Sequence, residues 1–320
     1  MRKDNLKKNT LIVGAGYMAQ EYIKTFNRLK INYDLIGNKE KKVKILSKKY
    51  GKLFHFGGIK NYNVKKTYSH CVICVNEDKI FYSLIDVLNK GIKNILIEKP
   101  GGNNFNEIKK IKNAAKKYKS NVYIAYNRRF YENIFFIKKI IKKDGGVISA
   151  DFSFTEWTDK IKKLKYKNDI FRKWFYFNSL HIIDLIFHLI GKPKKMSSYS
   201  GNVLFPFKNS TFVGSGFTEK KIYFSYHSNW NSAGRWGINL YTKNKKIILS
   251  PIEKIFVQKK NSLDVTEMKF KKIFDNKLKP GLAKMILEFT LNKKKKTIET
   301  YNDYCKCLPI YEKIAKSVFK

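Results

Sequence analysis

Short apolar runs alternate with longer amphipathic segments along the first 126 residues. The runs predict buried strands at residues 10–13, 33–37, 71–75, 94–97 and 121–126. The segments between them predict helices at residues 19–29, 39–50, 79–89 and 105–117. Regular alternation of strand and helix is typical of a doubly wound parallel sheet with helices on both faces.

The pattern changes after residue 126, where a predicted helix at 134–143 leads into a glycine turn. Beyond this turn the apolar residues recur at every second position, which is typical of strands with one buried face. The apolar positions of the first such strand are Ile148, Ala150, Phe152 and Phe154. Further strands are predicted at 221–230, 236–242 and 247–249, with one helix at 179–190. We therefore expect two α/β domains, residues 1–126 with the parallel sheet and residues 127–320 with an open, mostly antiparallel sheet.

The net charge of +42 invites a nucleic-acid interpretation. Only six of the 67 basic residues are Arg, however, and the lysines are spread over every segment. Proteins that read bases and phosphates favour Arg for its planar, forked guanidinium. We therefore expect no specific nucleic-acid partner, although RNA or an anionic lipid stays open as a third hypothesis. The charge should still attract anionic substrates and cofactors.

The apolar segments are too short or too polar to cross a bilayer. The longest one, residues 182–190, contains Asp184 and His188, and the first run ends in a glycine turn unlike a signal peptide. Cys71 and Cys74 fall on opposite faces of a predicted strand and cannot chelate one ion. The sequence therefore predicts a cytoplasmic protein with reduced cysteines, no membrane partner and no metal.

A Gly-x-Gly-x-x-Ala turn directly follows the first predicted strand. In a dinucleotide-binding turn Gly14 would permit the tight bend, Gly16 would let the backbone approach a pyrophosphate, and Ala19 would let helix pack on strand. An ordinary strand–helix turn is the alternative. The cofactor residues predicted at this edge of the sheet, including the end of the third strand, are Gly14, Ala15, Gly16, Tyr17, Met18, Val75 and Asn76.

The choice between NAD and NADP depends on the residues after the second strand. Proteins that bind NAD usually carry an acidic residue there for the ribose hydroxyls. This chain has Asn38 and Lys39 instead, which favours NADP slightly because Lys39 could meet a 2′-phosphate. The alternative is a helix-capping Asn followed by a solvated Lys.

The triplet Glu98-Lys99-Pro100 follows the fourth predicted strand, at the edge where such sheets bind ligands. A lysine there can hydrogen-bond a substrate hydroxyl and favour loss of its proton, and Pro100 restricts the backbone that orients it. These three residues complete the predicted cofactor site.

These motifs resemble the Gfo/Idh/MocA family, which includes glucose–fructose oxidoreductase and inositol dehydrogenases. The resemblance covers essentially the whole chain, and the segments that carry it are residues 14–19, 91–100, 126–130 and 181–184. Three more segments are similar to an uncharacterised branch linked to surface-sugar biosynthesis, namely residues 154–157, 178–181 and 230–236. The resemblance implies a Rossmann domain that binds NAD or NADP, a second α/β domain and a homo-oligomer.

In this family a lysine and a histidine flank the substrate carbon that exchanges hydride, and they map onto Lys99 and His181. His181 lies in the first turn of a predicted helix, whose dipole favours the neutral imidazole that acid/base work needs. Asp184, one turn later, shares its face. Many relatives carry Asp four residues before the histidine, where this chain has Phe177. Asn178 is the nearest polar group.

The predicted substrate is a sugar, a sugar acid or a nucleotide-activated sugar. Trp side chains suit sugar faces, and an Arg could fix an anionic group. Ion pairing between domains is the alternative for Arg128 and Arg129, and a hairpin core is the alternative for the tryptophans. The predicted substrate residues are Tyr126, Arg128, Trp157, Asn178, Asp184, Arg235 and Trp236. A non-catalytic NAD(P)-binding sensor or assembly protein is the second functional hypothesis.

Overall fold

The computed structural model describes residues 9–63, 67–164, 166–291 and 296–316. They form two compact units. The first contains the chain up to Phe130 together with Phe274–Lys306, and the second contains Tyr131–Ile273 and the residues from Cys307 onward.

Both units combine strands with helices, numbered in chain order. The strands are β1 (Thr10–Val13), β2 (Tyr33–Ile36), β3 (His70–Ile73), β4 (Asn94–Ile97), β5 (Asn121–Ile124), β6 (Ser149–Phe154), β7 (Pro193–Gly201), β8 (Thr211–Thr218), β9 (Tyr223–Asn229), β10 (Trp236–Tyr241), β11 (Lys245–Leu249), β12 (Phe256–Lys259), β13 (Val265–Glu267) and β14 (Glu299–Thr300). The α-helices are α1 (Tyr17–Leu29), α2 (Glu40–Tyr50), α3 (Gly58–Asn61), α4 (Ile80–Asn89), α5 (Phe105–Lys117), α6 (Glu132–Lys143), α7 (Thr158–Lys162), α8 (Asn168–Arg172), α9 (Leu180–Ile190), α10 (Leu282–Thr290) and α11 (Tyr301–Ala315).

The sheet of the first unit has the order β14-β5-β4-β3-β1-β2, and β1 to β5 pair in parallel. Strands β1, β2 and β3 are buried along their whole length, as a parallel sheet covered on both faces requires. The predicted doubly wound sheet is confirmed. Its carboxyl ends bring the residues after β1, β3 and β4 to one edge.

The first unit also includes residues 274–306. Its boundaries therefore differ from the predicted division of the chain into residues 1–126 and 127–320. Strand β14 pairs antiparallel with β5, in the register Glu299 to Ile124. The buried Arg129 guanidinium donates to the Glu299 carboxylate at 2.6 Å and to the Thr297 carbonyl at 3.2 Å. Arg129 therefore forms an ion pair inside this unit.

The second unit is built on a sheet with the order β13-β12-β11-β10-β6-β9-β8-β7. All neighbours pair antiparallel except β6 and β9, so the predicted mostly antiparallel sheet is confirmed. Ala150, Phe152 and Phe154 of β6 are buried, and Phe152 packs against Phe187 of α9. Ile148 precedes the strand and is 59% exposed, so its predicted place on the buried face is wrong.

Among the described residues, no helix combines the length and apolar character needed to cross a bilayer. Within the same residues, no group of three or more His, Cys, Asp or Glu is arranged to hold a metal ion.

Candidate active site

The glycine turn lies where β1, β2 and β3 end. The Gly14 amide donates to the Ile36 carbonyl at 2.9 Å, and the Cys74 amide donates to the Val13 carbonyl at 2.9 Å. Gly14 has φ +130°, and a Cβ built on it would lie 2.5 Å from the Cys74 carbonyl oxygen. Only glycine therefore fits the turn at this position.

Gly16 precedes the first turn of α1 and leaves that helix end open. No side chain among the described residues caps the helix at Gly16, and its first turn carries no acidic residue. Apart from the adjoining backbone, no described atom lies within 4 Å of the position that a Gly16 Cβ would take, whereas Ala19 is fully buried. An open, uncapped helix amino end beside a tight glycine turn fits the pyrophosphate of a dinucleotide.

The other predicted cofactor residues surround the turn. Ala15, Met18 and Val75 are half-buried, whereas Tyr17 and Asn76 are exposed. The Lys279 ammonium lies 5.0 Å from the centroid of the Tyr17 ring.

The segment after β2 presents polar side chains to solvent. Asn38 and Lys39 are both exposed, and Lys39 is the residue that precedes α2. The alternative in which Asn38 caps this helix is therefore wrong. The exposed Lys39 ammonium is available to an anionic group.

Glu98 and Lys99 follow β4 at the same edge of the sheet and are half-buried. The hydroxyl of the fully buried Tyr22 in α1 donates to Glu98 Oε1 at 2.6 Å. Desolvation raises the pKa of the Glu98 carboxyl, and the Tyr22 hydrogen bond and the Lys99 charge oppose that rise. The carboxyl therefore holds its place through a tyrosine that the sequence motif does not contain.

Lys99 is surrounded by charges of both signs. Desolvation lowers the pKa of its ammonium, and Glu98 and Glu77 counter this while Arg128 and Lys279 add to it. A lowered pKa increases the fraction of neutral amine, which is the form that can accept a proton.

Two tyrosines from the end of the chain fix the loop that carries Lys99. Tyr304 donates its hydroxyl to the Pro100 carbonyl at 2.5 Å, and Tyr301 donates to the Gly101 carbonyl at 2.9 Å. Both tyrosines are buried. Gly101 has φ +82°, and a Cβ there would lie 2.6 Å from Ile124. Sequence reasoning did not identify these tyrosines, because two hundred residues or more separate each of them from its partner.

The Tyr304→Phe variant is expected to lower the free energy of unfolding of the first unit by about 1–3 kcal/mol, because it leaves a buried carbonyl without its donor. The shift of the denaturant midpoint measures this loss. Tyr118→Phe is the matched control, since its bond to Asn89 is exposed and its removal should cost below about 0.5 kcal/mol. Equal losses in the two variants would contradict the role of Tyr304.

The predicted residues after β5 lie in different environments. Tyr126 is 1% exposed and packs against Tyr304 with ring centroids 6.3 Å apart, so its surroundings in this unit are those of a core residue. Arg128 is half-buried and donates to the Asn127 side chain at 3.2 Å.

A buried carboxylate organises the second unit. Glu156, two residues after β6, has a side chain that is 0% exposed. Asn178 Nδ2 donates to both of its oxygens at 3.1 and 3.0 Å, and Ser179 Oγ donates at 2.7 Å. Arg235 and Trp236 Nε1 donate at 2.9 and 3.3 Å. We call these five residues the Glu156 cluster.

Desolvation raises the pKa of the Glu156 carboxyl, while the Arg235 charge and the hydrogen-bond donors oppose the rise. Sequence reasoning missed Glu156 as a site residue. Its signals were its place beside Trp157 at the end of a strand and its membership of the 154–157 segment.

His181 is the second residue of α9 and is 6% exposed. A π-helical turn, Phe175–Ser179, leads directly into this helix. The imidazole lies 6.4 Å from the Trp236 ring, between centroids. Phe177 and Asp184 are both buried, at 3% and 2% exposure. Asn178 and Trp236 are thus members of the Glu156 cluster, and the His181 imidazole lies beside the Trp236 ring.

Trp157 is the exposed member of the aromatic group, at 48%, whereas Trp230 and Trp236 are buried at 3% each. Its indole donates to the Gly234 carbonyl at 2.9 Å. The Arg235 guanidinium lies 4.8 Å from the Trp157 ring centroid and 4.5 Å from that of Trp236. Trp230 and Trp236 therefore belong to the core, whereas Trp157 lies on the surface.

An open cleft of about 400 Å³ adjoins these residues in the second unit. Its lining includes Glu156, Trp157, Asp159, Lys160, Asn231 and Ser232. A cleft of this size with an indole, amides and charged groups can hold a sugar-sized ligand.

The parallel sheet and the glycine turn together form a Rossmann-type dinucleotide-binding domain. Residues 8–126 match the Gfo/Idh/MocA model, described as an oxidoreductase family with an NAD-binding Rossmann fold. The domain therefore belongs to this family, as the sequence motifs indicated. No curated protein sequence matches the chain.

Three solved structures are similar over nearly the whole chain. A putative NADPH-dependent oxidoreductase from Desulfitobacterium hafniense is 16% identical with a TM-score of 0.78, covering 97% of this chain and 95% of that one. UDP-N-acetylglucosamine 3-dehydrogenase from Acidithiobacillus ferrooxidans is 10% identical with a TM-score of 0.75, covering 97% of both chains. The WlbA dehydrogenase from Chromobacterium violaceum, in complex with NADH and UDP-GlcNAcA, is 13% identical with a TM-score of 0.71, covering 98% and 94%. At these identities the similarity establishes the fold.

Proposed function

We propose that this protein transfers hydride between a nicotinamide cofactor and a carbon of a sugar, a sugar acid or a nucleotide-activated sugar. The observation that carries the proposal is the open glycine turn at the same sheet edge as Lys99, in a domain of an oxidoreductase family. The UDP-sugar named for two proteins of similar fold supports the substrate class.

Lys99 and His181 would share the acid/base and electrostatic work. The nicotinamide, when bound, supplies or accepts the hydride. The His181 imidazole would take the hydroxyl proton during oxidation and return it during reduction. The Lys99 amine, whose pKa is lowered by desolvation, would hydrogen-bond the reacting oxygen.

Aromatic, polar and charged side chains would bind the substrate. In the second unit Trp157 would stack on a sugar ring, and the Arg235 guanidinium and the Asn178 amide would bind polar or anionic groups. Asp184 would orient His181. Arg128 in the first unit would bind a carboxylate or phosphate.

Mass spectrometry of small molecules carried through purification tests this function most directly, because it can reveal the nucleotide and the sugar together. The second experiment is an activity assay, in which a panel of sugars, sugar acids and UDP-sugars is tested for reduction and oxidation of the nicotinamide. Bound nucleotide without turnover of any member would favour the second candidate, a non-catalytic sensor or assembly protein. Phe177, in the place of the family's Asp, is the observation that supports this candidate.

We propose NADP as the preferred cofactor because Lys39 is exposed where NAD-binding relatives carry an acid. Lys39→Asp is expected to weaken NADPH binding at least about tenfold, the equivalent of about 1.4 kcal/mol, without weakening NADH binding. Fluorescence titration of both nucleotides measures the change. Lys41→Asp, a similar exposed lysine in α2, is the control. Equal weakening of NADPH and NADH by Lys39→Asp would refute the assignment.

We also propose a homo-oligomer, in which the sheet of the second unit contributes the contact surface. Tyr199, Val213 and Tyr223 are exposed on β7, β8 and β9, at 71%, 41% and 66%. Sedimentation equilibrium would determine the number of subunits.

A further inference from the structure

We propose that Glu156 is the positioning residue of the second unit, whose carboxylate fixes the orientation of His181 and of the Arg235 guanidinium. This inference rests on the proposed function, in which His181 exchanges a proton with substrate. Glu156 itself acts through the other members of the Glu156 cluster.

The carboxylate joins three separate stretches of chain. Glu156 follows β6, and Asn178 and Ser179 end the π-helical turn. Trp236 is the first residue of β10, and Arg235 directly precedes it. All of their hydrogen bonds to the carboxylate measure between 2.7 and 3.3 Å. A buried carboxylate is stable only when donors or cations satisfy it, so these stretches are fixed around it.

The first route to His181 runs along the chain. A π-helical turn contains an extra residue, which rotates the following helix by about 100° relative to uninterrupted α-helical register. Ser179 is the last residue of this turn, and His181 follows after Leu180. The face on which the imidazole emerges therefore depends on a turn whose last two residues bind Glu156. Phe177, in the same turn, is apolar and offers no side-chain hydrogen bond.

The second route runs through space. Trp236 donates its indole N–H to Glu156 Oε1, and its ring lies 6.4 Å from that of His181. The cluster therefore fixes the indole beside the imidazole as well as the turn that precedes it.

The same carboxylate holds the Arg235 side chain, which is 35% exposed. Glu156 binds one guanidinium nitrogen, Nη1, at 2.9 Å, and the indoles of Trp157 and Trp236 lie beside the guanidinium. A guanidinium fixed in this way presents its remaining N–H groups in a set direction, which favours a planar anionic partner. Loss of the Glu156 charge should therefore affect substrate binding and proton transfer together.

Glu156→Gln removes the charge and keeps the side-chain volume. We expect kcat to fall about 100-fold, since a misplacement of about 1 Å can have that effect, and KM for the sugar to rise. The dissociation constant of the nucleotide should stay within about twofold, because the glycine turn belongs to the other unit. A larger isotope effect with deuterated nicotinamide should accompany the fall in kcat, because misplaced acid/base groups slow the chemical step.

Asp151→Asn is the matched control. Asp151 lies in β6 and accepts hydrogen bonds from Asn239 and Tyr241, each at 2.8 Å. This variant should keep the parental kcat, KM and isotope effect. A loss common to both variants would show a general effect on the sheet and would overturn the role of Glu156.

The His181 signal and a second variant test the role of Glu156 independently of enzyme activity. In NMR spectra of protein with ¹³C-labelled histidine, the His181 ring signal should shift in Glu156→Gln and stay unchanged in Asp151→Asn. This measurement needs no turnover of a sugar, so it distinguishes a failure of the Glu156 proposal from a failure of the proposed function. If Glu156→Gln does not fold, Ser179→Ala removes one bond of the cluster and should move the same signal. A folded Glu156→Gln protein with an unmoved His181 signal, or with parental kcat, would overturn the proposal.

Discussion

Replacement of Lys99 by Ala is expected to abolish turnover while nucleotide affinity stays nearly intact. The amine lies at the carboxyl edge of the sheet, and desolvation lowers its pKa, so it is suited to hydrogen-bond a reacting hydroxyl. Loss of such a group should lower kcat by about 10²–10⁴-fold. Stopped-flow kinetics of nicotinamide oxidation and fluorescence titration of the nucleotide measure the two quantities separately.

Lys93→Ala is a suitable control, because Lys93 lies in the same unit, is exposed and donates to the Tyr118 carbonyl. Its kcat should equal that of the parent. Full activity of the Lys99→Ala protein would remove Lys99 from the mechanism and would leave the glycine turn as a binding site only.

His181→Gln is expected to lower kcat by a comparable factor, about 10²–10⁴-fold, because an amide cannot exchange a proton with the substrate. The substitution is similar in size and keeps a polar group, so α9 should retain its packing. Single-turnover measurements with saturating substrate would isolate the chemical step from binding.

His188→Gln provides the comparison on the same helix. His188 Nε2 lies 2.7 Å from the Lys138 ammonium, in a contact between α6 and α9 that is separate from the Glu156 cluster. Its kcat should stay within about twofold of the parent. If kcat fell equally in both histidine variants, the loss of activity would reflect damage to α9, and the proposed role of His181 in proton transfer would be refuted.

The sequence predicted the parallel sheet well because its five parallel strands are short and mostly apolar, although β2 contains Asp34. Strand β4 and helix α5 have the predicted bounds, whereas α1 begins two residues earlier than expected, at Tyr17. The edges of the second sheet were missed. Only two of the nine residues of β7 are buried, and Pro193–Gly201 is rich in Lys and Ser, so it lacks the apolar alternation that marks a strand.

The end of the chain was missed for a different reason. Helix α11 contains Pro309, and a proline in that position normally argues against a helix. Strand β14 has two residues, which is too short to show any period. Pairing with β5 gives this strand its place, and such a partner is invisible to local patterns.

The residues of the candidate site also differ in whether local sequence or distant contacts determine their roles. Gly14, Lys99 and Asn38 could be found because each follows a predicted strand, where local sequence determines the position. Glu156 and Tyr304 act through partners far away in sequence, at Arg235 and Pro100. Their importance depends on tertiary contacts that a single sequence does not display.

The late return of the chain to the first unit bears on how this protein is made. Because β14 and the two tyrosines at the Pro100–Gly101 loop come after residues 131–273 in the chain, the first unit is completed only after that stretch of the second unit has been synthesised. Until then the outer edge of β5 lacks its partner strand, and an unpaired strand edge is a site for faulty association. Synthesis of residues 1–130 alone would make that temporary condition permanent.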